Sequence, residues 1–182
     1  MRRAVPVSLL VLAACSSASS RPGEALPGRG QTAAVRDAGG GVLRINPGDG
    51  AATVSIAAPL DAVWESLPAV FDSLGIPVNT VDPALKALGN SGYELSKRLG
   101  KTSLSQYIDC GQTQAFPSAD TYQIYLVVMV QLHSADPATT RVATSVQASA
   151  KPVTVRGDYT RCSSKGVLEK RIADRIRAEA TR

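Results

Sequence analysis

Few side chains in this sequence have the type and spacing that catalysis or metal binding requires. The 182 residues include three cysteines and a single histidine, His133. Nucleophilic catalysis needs a cysteine or serine within reach of a base, and no such motif stands beside His133. A structural metal site takes several cysteine or histidine ligands, which this composition does not supply. We interpret His133 as an exposed strand end, and we predict neither a metal nor a cofactor.

The carboxylates form no pattern typical of acid–base catalysis either. Asp72 and Glu65 lie a surface turn or two apart on a predicted helix. Glu169 stands between Lys165 and Lys170 at the start of the last predicted helix, where a helix-face ion pair contributes roughly a few tenths of a kcal/mol. A carboxylate there also gains from the helix dipole. Because no base is placed for catalysis, we predict that the protein is not an enzyme.

The N-terminus has the three parts of a secretory signal. Arg2 and Arg3 precede an apolar run from Val5 to Ala14, which closes on small residues before Cys15. That run is too short to cross a hydrocarbon core of about 30 Å as a stable helix. The segment therefore predicts a cleaved signal peptide over residues 1–14.

Cys15 is placed for lipid attachment. The residues Leu12-Ala13-Ala14-Cys15 resemble a bacterial lipobox, in which small residues fit a peptidase cleft and the thiol takes the lipid. We expect Cys15 to become a lipidated N-terminus carrying several acyl chains, palmitate among them, because one chain alone binds membranes only marginally. Ser16, rather than Asp, follows the cysteine, which by analogy favours the outer membrane and the periplasmic side. An ordinary signal peptide with an unmodified cysteine is the alternative.

The remaining cysteines, Cys110 and Cys162, predict one disulfide. Cysteines of exported proteins meet an oxidising compartment, where pairs are usually bridged. Closing a loop of about fifty residues stabilises a fold by roughly 4 kcal/mol in the chain-entropy account. Two free thiols or a metal site are the alternatives, and the metal site lacks further ligands.

Charge is distributed unevenly along the chain. There are 20 Lys and Arg against 15 Asp and Glu, with nine basic and four acidic residues between Lys151 and Arg182. Such an end could meet anionic lipid or an acidic partner, although a solvated helix face is the simpler interpretation. An exported chain with two Phe, one Trp and no recognition motif does not predict a nucleic-acid partner.

Residues 15–41 predict a flexible tether in front of a single folded domain, residues 42–182. The tether is rich in Ser, Ala, Gly, Pro and Arg, so burial cannot offset the entropy of ordering it. A segment of this kind reaches roughly 25–30 Å. The remaining residues are enough for one domain with a real core.

Apolar spacing predicts the elements of that domain. They are strands at Val42–Ile45 and Ala52–Ala57, a helix at Pro59–Leu74, strands at Ile76–Val81 and Lys86–Ser91, a short helix capped by Thr102, long strands over 122–133 and 141–153, and a helix at Ser164–Ala180. The two long strands alternate in polarity and predict an antiparallel hairpin. The first is apolar on both faces at its centre, which indicates a strand covered on both sides or one bordering an oily pocket.

Both main helices carry an apolar stripe. In the first helix it comprises Leu60, Trp64, Leu67, Phe71 and Leu74; in the last it comprises Val167 or Leu168, Ile172 and Ile176. We interpret Trp64 as a core anchor and expect Pro68 to bend the first helix. The predicted N-cap of the last helix is Ser163 or Ser164.

This order of elements resembles that of the BamC-like (NlpB/DapX) envelope lipoproteins, whose domains have a helix-grip fold. The resemblance is carried by Ala58–Trp64 leading to Leu74–Val78, by the hairpin from Tyr122, and by Cys162–Glu169. It implies an α+β domain whose curved antiparallel sheet packs against one long helix and a C-terminal helix. BamC-like proteins usually carry two such domains and a conserved tether, whereas this chain has room for one domain and a tether of low complexity.

Two functions follow from these observations. The tether, the resemblance and the lack of catalytic groups favour a non-catalytic interaction module that binds other envelope proteins, with outer-membrane protein assembly implied by the resemblance. The alternative is a carrier or sensor of a small apolar ligand or lipid held between sheet and helix. The doubly apolar strand centre at Val127–Val130 favours that alternative.

Overall fold

The structure of the chain, a computed structural model, describes residues 33–36, 42–45, 51–113, 115–154 and 158–181. The predicted signal peptide, Cys15 and most of the predicted tether lie outside the described residues. Within the tether, Ala33–Arg36 is a strand paired antiparallel with Val42–Ile45. This pairing lies within the segment predicted to be flexible, and the division of the chain into signal peptide, tether and domain stays a prediction.

The described residues form eleven strands, three α-helices and one 3-10 turn. The strands are β1 (Ala33–Arg36), β2 (Val42–Ile45), β3 (Ala52–Ile56), β4 (Thr80–Asp82), β5 (Ala87–Ser96), β6 (Arg98–Leu99), β7 (Thr102–Ser103), β8 (Ile108–Asp109), β9 (Gln123–Asp136), β10 (Thr139–Lys151) and β11 (Thr160–Ser164). The helices are α1 (Leu60–Ser73), α2 (Ser118–Thr121) and α3 (Val167–Ala180), with a 3-10 turn at Leu104–Gln106.

An antiparallel sheet forms the centre of the domain and confirms the α+β prediction. Its strand order is β4-β5-β9-β10-β11-β8, and β3 pairs with the first half of β10 on the same side as β11. The predicted hairpin is confirmed by the β9–β10 register, in which Leu132 lies opposite Val142 and Leu126 opposite Ala148. The strongest alternation in the sequence therefore forms the two longest strands.

Helices α1 and α3 pack against each other and against one face of this sheet. Even-numbered residues of β9, such as Val128 and Val130, point to that face because side chains alternate along a strand. The largest buried side chains are Phe71, Ile56, Leu67, Ile76, Leu104, Ile108, Ile124, Leu126, Met129, Leu168, Ile172 and Ile176. Burial of apolar surface between the helices and this face of the sheet is the main force that holds them together.

The opposite face of the sheet is also buried at its centre. Odd-numbered β9 residues Val127, Met129 and Gln131 are almost inaccessible to solvent, as are Ala143 and Ser145 of β10. Of the two alternatives predicted for this strand, burial on both faces is the one that its centre shows. Strand β5 lies so close to β9 at Gly89 that no side chain fits there, since a Cβ at that position would lie 2.1 Å from the Val128 carbonyl oxygen.

A disulfide joins Cys110, after β8, to Cys162 in β11, with a sulfur–sulfur distance of 2.02 Å. The two residues are 52 positions apart in sequence, so the bridge closes a loop that contains α2 and the whole β9–β10 hairpin. The predicted pairing is confirmed.

The stripe of α1 is rotated slightly from the predicted one. Its fully buried residues are Val63, Leu67, Val70 and Phe71. Trp64 is only half-buried at the edge of the core, with the Lys86 ammonium 5.3 Å from its ring centroid. The prediction of a core anchor is only partly correct, because Trp64 is half-buried and Val63 takes the central position.

The strand predicted at Ile76–Val81 is shorter than expected. Gly75 has a left-handed backbone (φ 70°), and the Ile76 and Gly75 N–H groups donate to the carbonyls of Phe71 and Asp72, which ends α1 in a Schellman motif. Pro77 then lacks a donor for a strand ladder. Regular pairing begins only at Thr80, whereas the return strand extends beyond its prediction to Ser96.

Two local predictions near the helices are wrong. Thr102 caps no α-helix; it belongs to β7, and only a 3-10 turn follows at Leu104–Gln106. Helix α3 begins at Val167 rather than at Ser164, because Gly166 adopts a left-handed conformation (φ 73°) between β11 and the helix. Val167 is consequently exposed, and Leu168 is the first residue of the buried stripe.

Candidate functional site

Glu169 is a charged residue buried in the first turn of α3. Only 3% of its surface is exposed. The Ser164 hydroxyl donates to Glu169 Oε1 across 2.5 Å, and the Gly166 N–H donates to the Ser164 oxygen at 3.1 Å. Glu169 Oε2 is also buried, and no described residue donates a hydrogen bond to it. A buried carboxylate oxygen without a donor is unfavourable, which makes this position the clearest candidate for binding.

The predicted helix-face pair of Glu169 with Lys165 or Lys170 is wrong. The Lys165 ammonium donates to the carbonyl of Ser105, in the 3-10 turn Leu104–Gln106, at 2.6 Å. Lys170 instead pairs with Asp174 at 2.7 Å. Neither lysine therefore bonds to Glu169, the one carboxylate among the described residues with a buried oxygen that has no donor.

Glu169 lines a cavity of about 330 Å³ between β3 and α3, which we call the β3–α3 groove. The sheet side consists of Ala52, Val54 and Thr144, and the helix side of Gly166, Glu169, Lys170, Ala173, Asp174 and Arg177. Val54 is half-buried against the core. The groove thus combines a small apolar wall, a buried acid and a charged rim.

The charges on the rim of the groove are largely paired with each other. Asp174 accepts from Lys170 at 2.7 Å and from Arg177 at 2.8 Å. The hydrogen bond from Lys170 is the main reason why the pKa of Asp174 lies below its ordinary value, and Arg177 adds to the effect. Because these three side chains are well exposed, solvent screens their charges, whereas Glu169 is almost inaccessible to solvent.

A larger cavity of about 830 Å³, the α1–α3 groove, lies on the other side of α3. It is lined by the C-terminal end of α1, by the β6–β7 hairpin and by α3, with the charged residues Asp72, Lys101, Arg171, Asp174 and Arg175. The Arg171 guanidinium donates to Thr102 Oγ1 at 3.0 Å and to the Tyr107 hydroxyl. These two bonds fix Arg171 in the groove wall, and Arg171, Lys101 and Arg175 are all exposed.

A third, shallower cavity of about 270 Å³ lies on the sheet face opposite the helices. Tyr125 and Tyr159 meet edge to face there, with ring centroids 6.2 Å apart. The Tyr159 hydroxyl donates to Glu94 Oε1 at 2.8 Å, and this bond raises the pKa of Tyr159 because it favours the neutral phenol. Glu94 also accepts from Gln123, so Glu94 and the Tyr159 hydroxyl already have partners.

The other residues considered in the sequence analysis do not converge on a site. His133 is half-buried near the end of β9, opposite Arg141, rather than fully exposed. Asp72 and Glu65 are exposed on α1, and only Asp72 reaches a groove. Among the described residues there is no group of three or more side chains that could hold a metal ion. No helix in the described part of the chain is long and apolar enough to cross a membrane.

No protein-family model, curated protein or solved structure matches this chain. The likeness to BamC-like lipoproteins accordingly rests on the residues quoted above.

The sequence analysis missed the burial of Glu169, although the sequence contains a signal for it. Glu169 precedes Ile172, Ala173 and Ile176 by three, four and seven positions, so it lies on the apolar stripe of α3. An acidic residue on such a stripe is expected to be buried, where it needs a donor. That spacing distinguishes Glu169 from the exposed Glu65 and Asp72.

Proposed function

We propose that this chain is an envelope lipoprotein, anchored through Cys15 at the outer membrane, whose folded part is a non-catalytic protein-interaction module in outer-membrane protein assembly. The observation that carries the proposal is the pair of open, charge-lined grooves on the two sides of α3. Open grooves that combine apolar walls with charged rims suit the side chains and backbone of another protein better than an apolar small molecule.

The packing between helices and sheet supports this function over that of a carrier. A ligand chamber at this interface would leave accessible surface on the side chains around it. Val63, Leu67 and Phe71 of α1 and Ile172 and Ile176 of α3 have no accessible surface at all. No water-sized void therefore adjoins these side chains, and a lipid would have to displace them at considerable cost.

The disulfide supports localisation in the cell envelope. Bridges such as Cys110–Cys162 form and persist in oxidising compartments and are rare in reducing ones. A periplasmic domain held at the membrane by a lipidated N-terminus would be free to dock on a neighbouring envelope protein.

In-cell photocrosslinking tests the proposal. A photoreactive amino acid replaces Arg175 in the α1–α3 groove or, as the matched control, Asp136 at the exposed end of β9. We expect defined crosslinks to envelope proteins from position 175, few from position 136, and their loss in a Cys15→Ala variant. Equal labelling from both positions, or crosslinks unaffected by Cys15→Ala, would count against an anchored module. Native mass spectrometry of the purified chain tests the carrier alternative, which predicts a co-purified lipid.

A further inference from the structure

We propose that the β3–α3 groove binds an extended peptide segment of a partner protein, added as a strand along β3, with a Lys or Arg side chain paired to Glu169. This inference rests on the proposed interaction function and names the chemistry of one binding site. It is carried by three features: an edge strand, a helix that forms a groove beside it, and a buried acid without a donor.

The edge of β3 is the first feature. Among the described strands, β3 pairs only with β10, through Ala52 opposite Thr144 to Ile56 opposite Thr140. The other edge of such a strand presents unpaired N–H and C=O groups, which are a template for an added strand. The five residues of β3 are long enough to hold a short extended peptide.

The groove beside that edge is the second feature. Side chains alternate along a strand, so Ala52 and Val54 of β3 face the same way, and both line the groove together with α3. Thr53 and Ser55 point to the opposite side and are exposed. A peptide that pairs with β3 would likewise direct every second side chain towards α3. Edge strand plus neighbouring helix is a recurrent arrangement for binding extended peptides.

Glu169 decides which side chain the groove selects. Its Oε1 already accepts from Ser164, while Oε2 is buried and has no donor among the described residues. A charged donor in the groove compensates the buried carboxylate, and a rotation of the Glu169 side chain towards the groove lets Oε2 accept from that donor. A neutral side chain leaves the charge uncompensated, and an acidic one adds repulsion. The chemistry therefore favours Lys or Arg.

The basic residues at the rim do not reverse this preference. Lys170 and Arg177 both pair with Asp174, and their side chains are 77% and 46% exposed. Charges in such positions are screened by water and salt, whereas the buried Glu169 acts through a lower dielectric. The rim also determines where charges can lie in the peptide. Acidic residues of the peptide fit beside Lys170 and Arg177, and the basic residue fits at Glu169.

Peptide display on the purified full-length chain tests this proposal. The probe is a random library of peptides of about ten residues, the length of a long strand. We expect the selected peptides to share one Lys or Arg within a run of β-branched residues. The dominant peptide is then labelled, and its affinity is measured by fluorescence anisotropy together with that of its Lys→Gln or Arg→Gln counterpart.

Three chains are compared in that measurement: the natural one, Glu169→Gln, and Glu65→Gln as the matched control on an exposed helix face. Glu169→Gln alone, or the neutral peptide alone, should lower the affinity at least about tenfold. The two changes together should lower it little further, because each removes the same charged pair. Glu65→Gln should bind normally. Hydrogen exchange should slow at the amides of Ala52–Ile56 when the peptide is bound.

Several results would overturn the inference. They are a library without enriched peptides, enrichment with no basic preference, equal binding by Glu169→Gln, or unchanged exchange in β3. Ala52→Phe, which fills the groove at its sheet side, gives a second variant whose unaltered binding would also overturn it. If crosslinks from position 175 appear in cells while these tests fail, the interaction function stands and only the site is wrong. If neither appears, the proposed function fails as well.

Discussion

Arg171 of α3 donates a hydrogen bond to the hydroxyl of Tyr107, and its guanidinium carbon lies 5.3 Å from the centroid of the same ring. Tyr107 follows the 3-10 turn and is almost fully buried. One cationic side chain thus ties the irregular segment between β7 and β8 to the last helix. A fixed guanidinium also gives one wall of the α1–α3 groove a constant shape and charge.

The first prediction concerns this contact. Tyr107→Phe keeps the ring but removes the acceptor, so the unfolding free energy should fall by about 1.5–3 kcal/mol, as expected for a hydrogen bond with a charged donor. Urea denaturation measures the change. Tyr125→Phe is the control, because the Tyr125 side chain is exposed and its hydroxyl has no described hydrogen-bond partner. Equal stability of the natural chain and Tyr107→Phe would show that the hydroxyl contributes nothing.

The disulfide gives the second prediction. The bridge closes a loop across 52 positions, so its removal should lower the unfolding free energy by roughly 4 kcal/mol on the chain-entropy account. The natural chain should lose this stability when a reductant is added during urea denaturation. A chain carrying both Cys110→Ala and Cys162→Ala should be less stable from the start and insensitive to reductant. A reductant effect of similar size on the double variant would contradict this explanation.

The third prediction tests how closely α1 packs against the sheet. Leu67→Ala removes a side chain with no accessible surface and should destabilise the fold by about 2–5 kcal/mol, because it loses buried apolar area and leaves a cavity. Val81→Ala, at a side chain that is 55% exposed, is the control and should change stability little. If Leu67→Ala is nearly neutral, the core is loose enough to admit a ligand, and the carrier alternative gains support.

Much of the fold follows from periodicity in the sequence. Alternation over residues 122–153 predicts the β9–β10 hairpin because each strand is long enough for its period of two to dominate. The α1 helix is predicted for the same reason, from apolar spacing of three and four. Where segments are short, local geometry decides instead: Gly75 and Pro77 prevent a strand at Ile76, and Gly166 delays the last helix.

The candidate site is harder to predict because its parts are distant in sequence. Ala52 and Thr144 meet only through the β3–β10 register, and Glu169 joins them only because α3 packs over that pair. The spacing of Glu169 indicates a buried acid, but nothing in the sequence indicates that one oxygen lacks a donor. That fact depends on Lys165 and Lys170 bonding elsewhere.

The fourth prediction concerns pH and Asp174. Lys170 and Arg177 lower its pKa, so the folded chain holds this carboxylate charged at a pH where the unfolded chain would protonate it. The resulting stability is present above the ordinary pKa of 3.8 and is lost as the pH falls through the lowered value. Carboxyl carbon NMR should show the pKa of Asp174 rising towards its ordinary value in Lys170→Met. Arg177→Met should have a smaller effect, and a larger effect of Arg177→Met would reverse the assignment of causes.

The last prediction is that Glu169 is held at the expense of stability. A buried carboxylate with one unsatisfied oxygen is less favourable than an apolar side chain of similar volume, and replacing such groups is often neutral or stabilising. Glu169→Met should therefore raise the unfolding free energy by roughly 1 kcal/mol, even though Ser164 loses an acceptor and the helix dipole loses a negative charge. Glu65→Met, at an exposed position of α1, is the matched control and should not stabilise the fold. A large loss of stability in Glu169→Met would mean that the carboxylate is a structural cap for α3, and its place in the β3–α3 groove would then need no ligand to explain it.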